Sequence, residues 1–293
     1  MLFKQKPTCV HCGKSSRSLF LDSNGLCPAC SDEYYRLRAQ RAKLMESIKK
    51  KEALNRLESI PLHHISLSPE PRKRRRGYKE VPSSPIYRNV DYGNFVVFDT
   101  ETTGFTPSKD RIVELGAVMF YSGYPIERFS TLINPECPIP SAATEVNHIT
   151  DDMVMNAPTI SMVLPAFEAF VGGYPLVAHN LEFDLKMLFY SGSIIFETNR
   201  KYYDTLALAR QLLKRHRKIY HHNYVDVDDM NEDDYYSGAY DYDDYEYNDV
   251  ENHKLGTLCD YYKIIHPGPH RADADALATG DLFLALVNDK LSR

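Results

Sequence analysis

Phe95-Val96-Val97-Phe98-Asp99-Thr100-Glu101-Thr102-Thr103-Gly104-Phe105 is the stretch from which the rest of the chain can be read. Its first four residues are apolar and β-branched or aromatic, the composition of a buried strand. Side chains alternate along a strand, so Asp99 and Glu101 share one face at its end. Two like charges that close are unfavourable unless a cation lies between them. Hard carboxylate oxygens at this spacing suit magnesium or manganese. The pattern predicts a metal-dependent enzyme built on a sheet.

Two later segments supply partners for that pair. Val177-Ala178-His179-Asn180-Leu181-Glu182-Phe183-Asp184 begins as a short apolar strand and turns into a helix. Asn180 is placed to cap that helix, and Asp184 falls in its first turn, where the macrodipole favours an anion. His270-Arg271-Ala272-Asp273-Ala274-Asp275-Ala276 opens an Ala- and Leu-rich helix predicted to run to about Val287. His270 follows the helix-breaking Pro267-Gly268-Pro269, which predicts a loop or a first-turn position. Asp275 has small neighbours, Ala272 and Ala276, that allow close approach to a sheet. Taken singly, each segment has an ordinary structural reading: a solvated strand-end acid, a helix-stabilising acid, a loop histidine. In this order together, they point to one site.

This set resembles the DEDD exonuclease superfamily, histidine subtype (DnaQ-like), and within it the epsilon-type proofreading exonucleases of bacterial replicative polymerases. The likeness rests on Asp99 and Glu101, on Asp184, and on His270 five residues before Asp275. It extends to Asp110-Arg111-Ile112-Val113-Glu114-Leu115-Gly116-Ala117-Val118, Ile133-Asn134-Pro135, Asn147-His148-Ile149-Thr150 and Lys254-Leu255-Gly256-Thr257-Leu258. It covers about residues 93–293, apart from one insert. Arg271 stands where the tyrosine subtype would carry its tyrosine. The resemblance implies a ribonuclease H-like fold and 3′-to-5′ hydrolysis of single-stranded or frayed ends to nucleoside 5′-monophosphates.

The chemistry fits those residues. Two Mg2+ or Mn2+ ions roughly 4 Å apart would activate water and stabilise the leaving oxygen. Asp99, Glu101, Asp184 and Asp275 would be their ligands, Asp99 bridging both, and His270 the base that deprotonates the attacking water. The resemblance further implies that the backbone of Thr102, Thr103 and Gly104 meets the terminal 3′ hydroxyl. It favours DNA as substrate and DNA replication or repair proteins as partners. An exoribonuclease of the same superfamily and a catalytically idle nucleic-acid-binding adaptor are the alternatives.

The N-terminal part differs in kind. Cys9-x-x-Cys12 and Cys27-x-x-Cys30 are separated by fourteen residues, and Cys137 and Cys259 stand apart. Two such turns complete a thiolate tetrahedron, so residues 1–31 are predicted to form a zinc-ribbon-like module holding one structural Zn2+. So short a segment buries little apolar surface, and metal binding would supply its folding energy. A redox dithiol would explain only one pair. The module's task, nucleic-acid contact or protein docking, stays open. Residues 32–58 read as one helix with an imperfect stripe of Tyr34, Leu37, Leu44, Ile48 and Leu54. Residues 59–92, with five prolines and Arg72-Lys73-Arg74-Arg75-Arg76, read as a disordered linker.

Charge divides along the same line. The net charge is −5, yet residues 1–91 carry 19 Lys/Arg against 9 Asp/Glu. Such a basic arm suits phosphate backbones, or is simply solvated. Residues 223–252 hold twelve acids, seven tyrosines and no basic residue, which predicts a mobile surface insert. No apolar stretch reaches the length needed to span a bilayer, and no signal-like core opens the chain, so a cytoplasmic location is expected and membrane contact is not.

Strands are predicted near 94–100, 111–121, 127–133, 175–178 and 202–204, and helices near 160–171, 181–191, 204–217, 254–263 and 272–287. Three strands in succession suggest an antiparallel meander, followed by alternating helices and strands. The expected architecture is α/β, a mixed central sheet flanked by helices over residues 93–293, with the small module and helix before it.

Overall fold

The structure is a computed structural model that describes residues 7–16, 20–69, 72–78, 80–197, 199–214, 217–218, 245–246 and 249–293. Most of the acidic insert lies outside the described residues. The chain divides into two compact units, Met1–Ala53 and Leu54–Arg293.

In the first unit the Cys9–Cys12 turn is closed by Gly13 N–H donating to Cys9 O at 3.0 Å. Gly13 has φ +69°, which costs a side chain but not glycine. The second turn is shaped by Asp22, whose carboxylate accepts from the N–H groups of Asn24 and Leu26, both at 2.9 Å, and from the Ser31 hydroxyl at 2.6 Å. Helix α1 (Pro28–Ser59) starts inside the second cysteine pair, earlier than expected. Proline is favoured at a first helical position because its φ is already helical and its missing N–H has no partner there to lose. Leu37, Leu44 and Ile48 of the imperfect stripe are exposed.

The second unit is organised by a five-stranded sheet of order β3-β2-β1-β4-β5. Its strands are β1 (Phe95–Thr102), β2 (Ile112–Tyr121), β3 (Tyr124–Leu132), β4 (Leu176–Ala178) and β5 (Tyr202–Asp204). The first three form the expected antiparallel meander, and β4 and β5 add in parallel beside β1. The helices are α2 (Ser141–Asn147), α3 (Asp151–Val154), α4 (Ile160–Val171), α5 (Leu181–Tyr190), α6 (Thr205–Leu212), α7 (Leu255–Tyr262) and α8 (Ala272–Ser292). Alternation along β1 divides the core: Val96 and Phe98 pack with α4 and α5, whereas Phe95 and Val97 pack with Ala274, Leu277 and Phe283 of α8. A short antiparallel pair, β6 (Arg217–Lys218) and β7 (Tyr245–Glu246), flanks the acidic segment. The mixed sheet with flanking helices is the ribonuclease H-like arrangement that the sequence predicts.

Three expectations change. Helix α6 ends at Leu212 rather than near 217, because Leu213 turns to extended backbone and is itself buried. Helices α2 and α3 are too short to leave a periodic signal. The supposed free linker at 59–92 is instead laid along the second unit, and it covers both edges of the sheet. Around Leu62, His63 N–H donates to Arg128 O of β3 at 2.7 Å and Arg128 N–H to Pro61 O at 2.8 Å. At the opposite edge, Ser84 N–H donates to Tyr202 O of β5, while Tyr202 and Asp204 N–H donate to the hydroxyls of Ser84 and Ser83. Between them Arg72 pairs with Glu168 at 2.7 Å. Prolines that forbid a helix still leave carbonyls and neighbouring N–H groups for an unpaired sheet edge.

Candidate active site

Asp99 and Glu101 emerge on the face of β1 that α8 covers, as the period of two requires. Asp99 sits opposite Gly116 of β2. A Cβ at Gly116 would lie 2.7 Å from the carbonyl oxygen of Ala272 and closer still to the Ala272 carbon and the Asp273 nitrogen. Glycine at this position lets the backbone of α8 rest directly on the sheet and brings Asp275 towards Asp99.

Glu114 fixes the helix there. Fully buried on β2, it accepts from Ala272 N–H at 3.1 Å and from Arg271 Nη2 at 2.8 Å. Arg128 of β3 pairs with Asp273 at 2.8 Å and adds a second tie. Glu114 entered the sequence reading only as part of a strand; its signal was a lone acid inside the apolar run Ile112-Val113-Glu114-Leu115.

Asp184 comes from the first turn of α5 and is buried. Its Oδ1 accepts from Thr100 Oγ1 at 2.6 Å and from Thr100 N–H at 3.1 Å, which joins α5 to the end of β1. Asn180 does precede α5, but in left-handed conformation (φ +66°) and without a side-chain cap bond. Its N–H donates instead to Asp204 Oδ1 at 3.1 Å, an acid already capping α6.

Donor atoms of Glu101, His270 and Asp275 all lie within 4.8 Å of one another. His270 is exposed on the loop before α8, with φ +65°. Asp275 Oδ1 is buried without a hydrogen-bond partner among the described residues. His266 Nε2 approaches it to 2.5 Å, but not in hydrogen-bonding alignment. The sequence reading missed His266, which lies ahead of the proline–glycine break and outside the motif.

Crowding of acids governs the electrostatics. Burial, then the charges of Asp184, Asp275 and Glu101, push the Asp99 carboxyl well above its ordinary range. Burial and Asp275 raise Glu101 to about 8. Burial raises Asp184 to about 7, against the pull of the Thr100 hydrogen bonds. Acids placed this way hold protons near neutral pH unless cations replace them. The oxygen-only carboxylate set and the orphaned Asp275 Oδ1 fit hard divalent cations.

The segment after β1 is less open than expected. Thr103 N–H donates to Arg111 O at 2.8 Å, and its buried hydroxyl accepts from Arg111 N–H at 3.0 Å. Thr102 Oγ1 donates to Gly104 O at 2.7 Å. Thr103 therefore shapes the loop, while Thr102 and Gly104 are half-buried. In the first unit, the thiols of Cys9, Cys12, Cys27 and Cys30 lie within 4.8 Å of one another, a set able to hold a metal ion. N–H groups of Cys12 and Cys27 lower the Cys9 thiol to about 6, so it ionises readily as a metal-binding thiolate must.

A family model described as Exonuclease (RNase_T) matches residues 96–227. A DNA polymerase III PolC-type of Caldanaerobacter subterraneus subsp. tengcongensis is 33% identical over 67% of this chain, which spans 12% of that relative. A DNA polymerase III subunit epsilon of Treponema pallidum is 43% identical over 42% of the chain and 60% of that subunit. Among solved structures, exonuclease X in complex with 5′ overhanging duplex DNA aligns over 66% of this chain and 91% of its own, at 24% identity and TM-score 0.44.

Proposed function

The chain carries a domain of the DnaQ-like exonuclease family, and on that premise we propose that it is a 3′-to-5′ exonuclease acting on single-stranded or frayed DNA ends. The observation that carries the proposal is the convergence of Glu101, His270 and Asp275, with half-buried Asp99 two residues before Glu101 on the same face of β1 and Asp184 buried against Thr100. Asp99, Glu101, Asp184 and Asp275 would hold two Mg2+ or Mn2+ ions. When bound, such ions supply charge neutralisation, acidify water and stabilise a leaving oxygen.

The protein's own groups do the rest. His270, free of the packed core, takes the proton of the attacking water on its imidazole. Thr100 steadies Asp184 through two hydrogen bonds. Glu114 and Gly116 hold the start of α8 so that Asp275 and His270 face Glu101. Thr102 and Gly104, half-buried just after the acids of β1, would meet the terminal nucleotide. DNA is preferred because the relatives are named DNA polymerase III PolC-type and DNA polymerase III subunit epsilon, and replication or repair proteins are the matching partners. The four cysteines would bind one Zn2+, which goes with a reducing cytoplasmic setting; among the described residues no helix is long and apolar enough to cross a membrane.

A time course on 5′-labelled single-stranded DNA and RNA of equal sequence, with and without Mg2+, tests the reading. The expected result is a ladder shortening from the 3′ end, on DNA in preference to RNA, abolished by chelator and by Asp99→Ala. Intact degradation by Asp99→Ala would show that the site is wrongly assigned.

A further inference from the structure

Beside the acids opens a second feature, a cleft of about 830 Å³ between the end of β4, α6 and the start of α7. Among the described residues, Arg210, Lys214 and Lys254 line it and no carboxylate side chain does. All three cations are exposed, and none forms an ion pair among the described residues. Asn180, immediately before the α5 turn that carries Asp184, also lines the cleft.

Its walls are fixed. His179 bonds Thr205 Oγ1 at 2.9 Å through Nδ1 and His253 O at 3.0 Å through Nε2. His253 Nε2 in turn meets Leu213 O at 2.9 Å. These bonds tie β4, α6 and the segment before α7 into one frame. Lys254 occupies the N-cap position of α7, whose positive end adds to the field of the three side chains. Gly256, one residue inside α7, has nothing within 4 Å of where a Cβ would stand, so backbone there is open to close approach.

We infer that this cleft binds the phosphodiester backbone of the polynucleotide strand leading into the active site. The inference rests on the exonuclease reading for its substrate class and adds the path by which the strand is held. Three cations spread over α6 and the α7 cap match several phosphates in succession better than one. The neutral amides of Asn180 and Asn252 and the apolar Leu206 and Leu255 tolerate any base. Such a site acts on binding and leaves the chemical step alone.

The test compares the full-length wild type with Arg210→Gln/Lys214→Gln/Lys254→Gln. Binding of a 20-nucleotide single-stranded DNA is measured in chelator, so that no cleavage intervenes, across a salt series. Removing three phosphate contacts should flatten the slope of log affinity against log salt by about 2, since each contact contributes about 0.7 on single strands. Affinity at low salt should fall roughly tenfold or more. With Mn2+ present, KM for the oligomer should rise while turnover of the nitrophenyl ester of thymidine monophosphate stays unchanged. Identical salt slopes for wild type and variant, with unchanged melting temperature, would overturn the inference. So would a variant that loses affinity for thymidine monophosphate as much as for the oligomer, because the cleft would then be a product site. If the wild type cleaves neither substrate but the variant still loses oligomer affinity, the cleft stands and the exonuclease reading fails.

Discussion

Replacing Gly116 by alanine tests how the site is assembled. The new methyl group would sit 2.7 Å from Ala272 O, with the adjacent backbone closer, whereas ordinary contact begins at 3.4 Å. The obstructing atoms are backbone, so no rotamer change relieves the clash. The first turn of α8 must retreat by about 1 Å or β2 must bow by as much. Overpacking of this kind costs about 1–3 kcal/mol, or roughly 2–12 °C in melting temperature for a domain this size. The kinetic effect should be larger. Asp275 and His270 ride on the displaced segment, and a misplacement of about 1 Å can reduce catalysis about 100-fold. The assay is exonuclease turnover on labelled single-stranded DNA, paired with a thermal melt. Gly280→Ala is the companion: its Cβ would run into the Phe120 ring, deep in the α8 packing and away from the acids. It should lose stability with much less loss of turnover. A Gly116→Ala protein with activity within twofold of wild type and an unchanged melt would refute the idea that glycine sets the approach of α8.

Other outcomes follow from the same geometry. In chelator, stability should fall progressively as pH rises from about 4, the unfolded carboxyl range, to about 8: burial and Asp275 raise folded Glu101 to about 8 and burial raises Asp184 to about 7, so the folded state keeps protons that the unfolded chain has already released. Melting curves should show a smaller loss in Glu101→Gln, and Mg2+ should offset it; an equal pH slope in the variant would count against the carboxylate cluster. Glu114→Ala leaves the buried Ala272 N–H unpaired and should cost about 1–3 kcal/mol by denaturant titration. Arg271 is half-exposed, so its lost ion pair adds little. Cys9→Ser should abolish stoichiometric zinc by elemental analysis, with turnover on the nitrophenyl ester unaffected.

What the sequence disclosed was whatever has a local period or a fixed spacing. The apolar run Phe95–Phe98 and the alternation at Asp99 and Glu101 identify the strand and the face of the acids, and the meander and later βα alternation yield the sheet. The stop of α6 was invisible because Leu206–Leu213 continues a helical apolar pattern, and only burial of Leu213 in extended form ends it. Gly116 and Glu114 looked like ordinary strand residues, since their roles depend on a helix about 160 residues further on. Residues 59–92 show the same limit. Proline and arginine content reports that a segment cannot form a helix, not that an open sheet edge and Glu168 are waiting for it.

The candidate donors come from β1, α5, α8 and the loop before α8, so the candidate site depends on that last described helix. While this protein is being translated, Asp99, Glu101 and Asp184 leave the ribosome well before Asp275 and His270. Because α8 also packs on Phe95 and Val97, that face of the sheet is covered only once α8 docks on Gly116. On the proposed assignment, a chain that stops before residue 270 lacks two of the five site residues, His270 and Asp275.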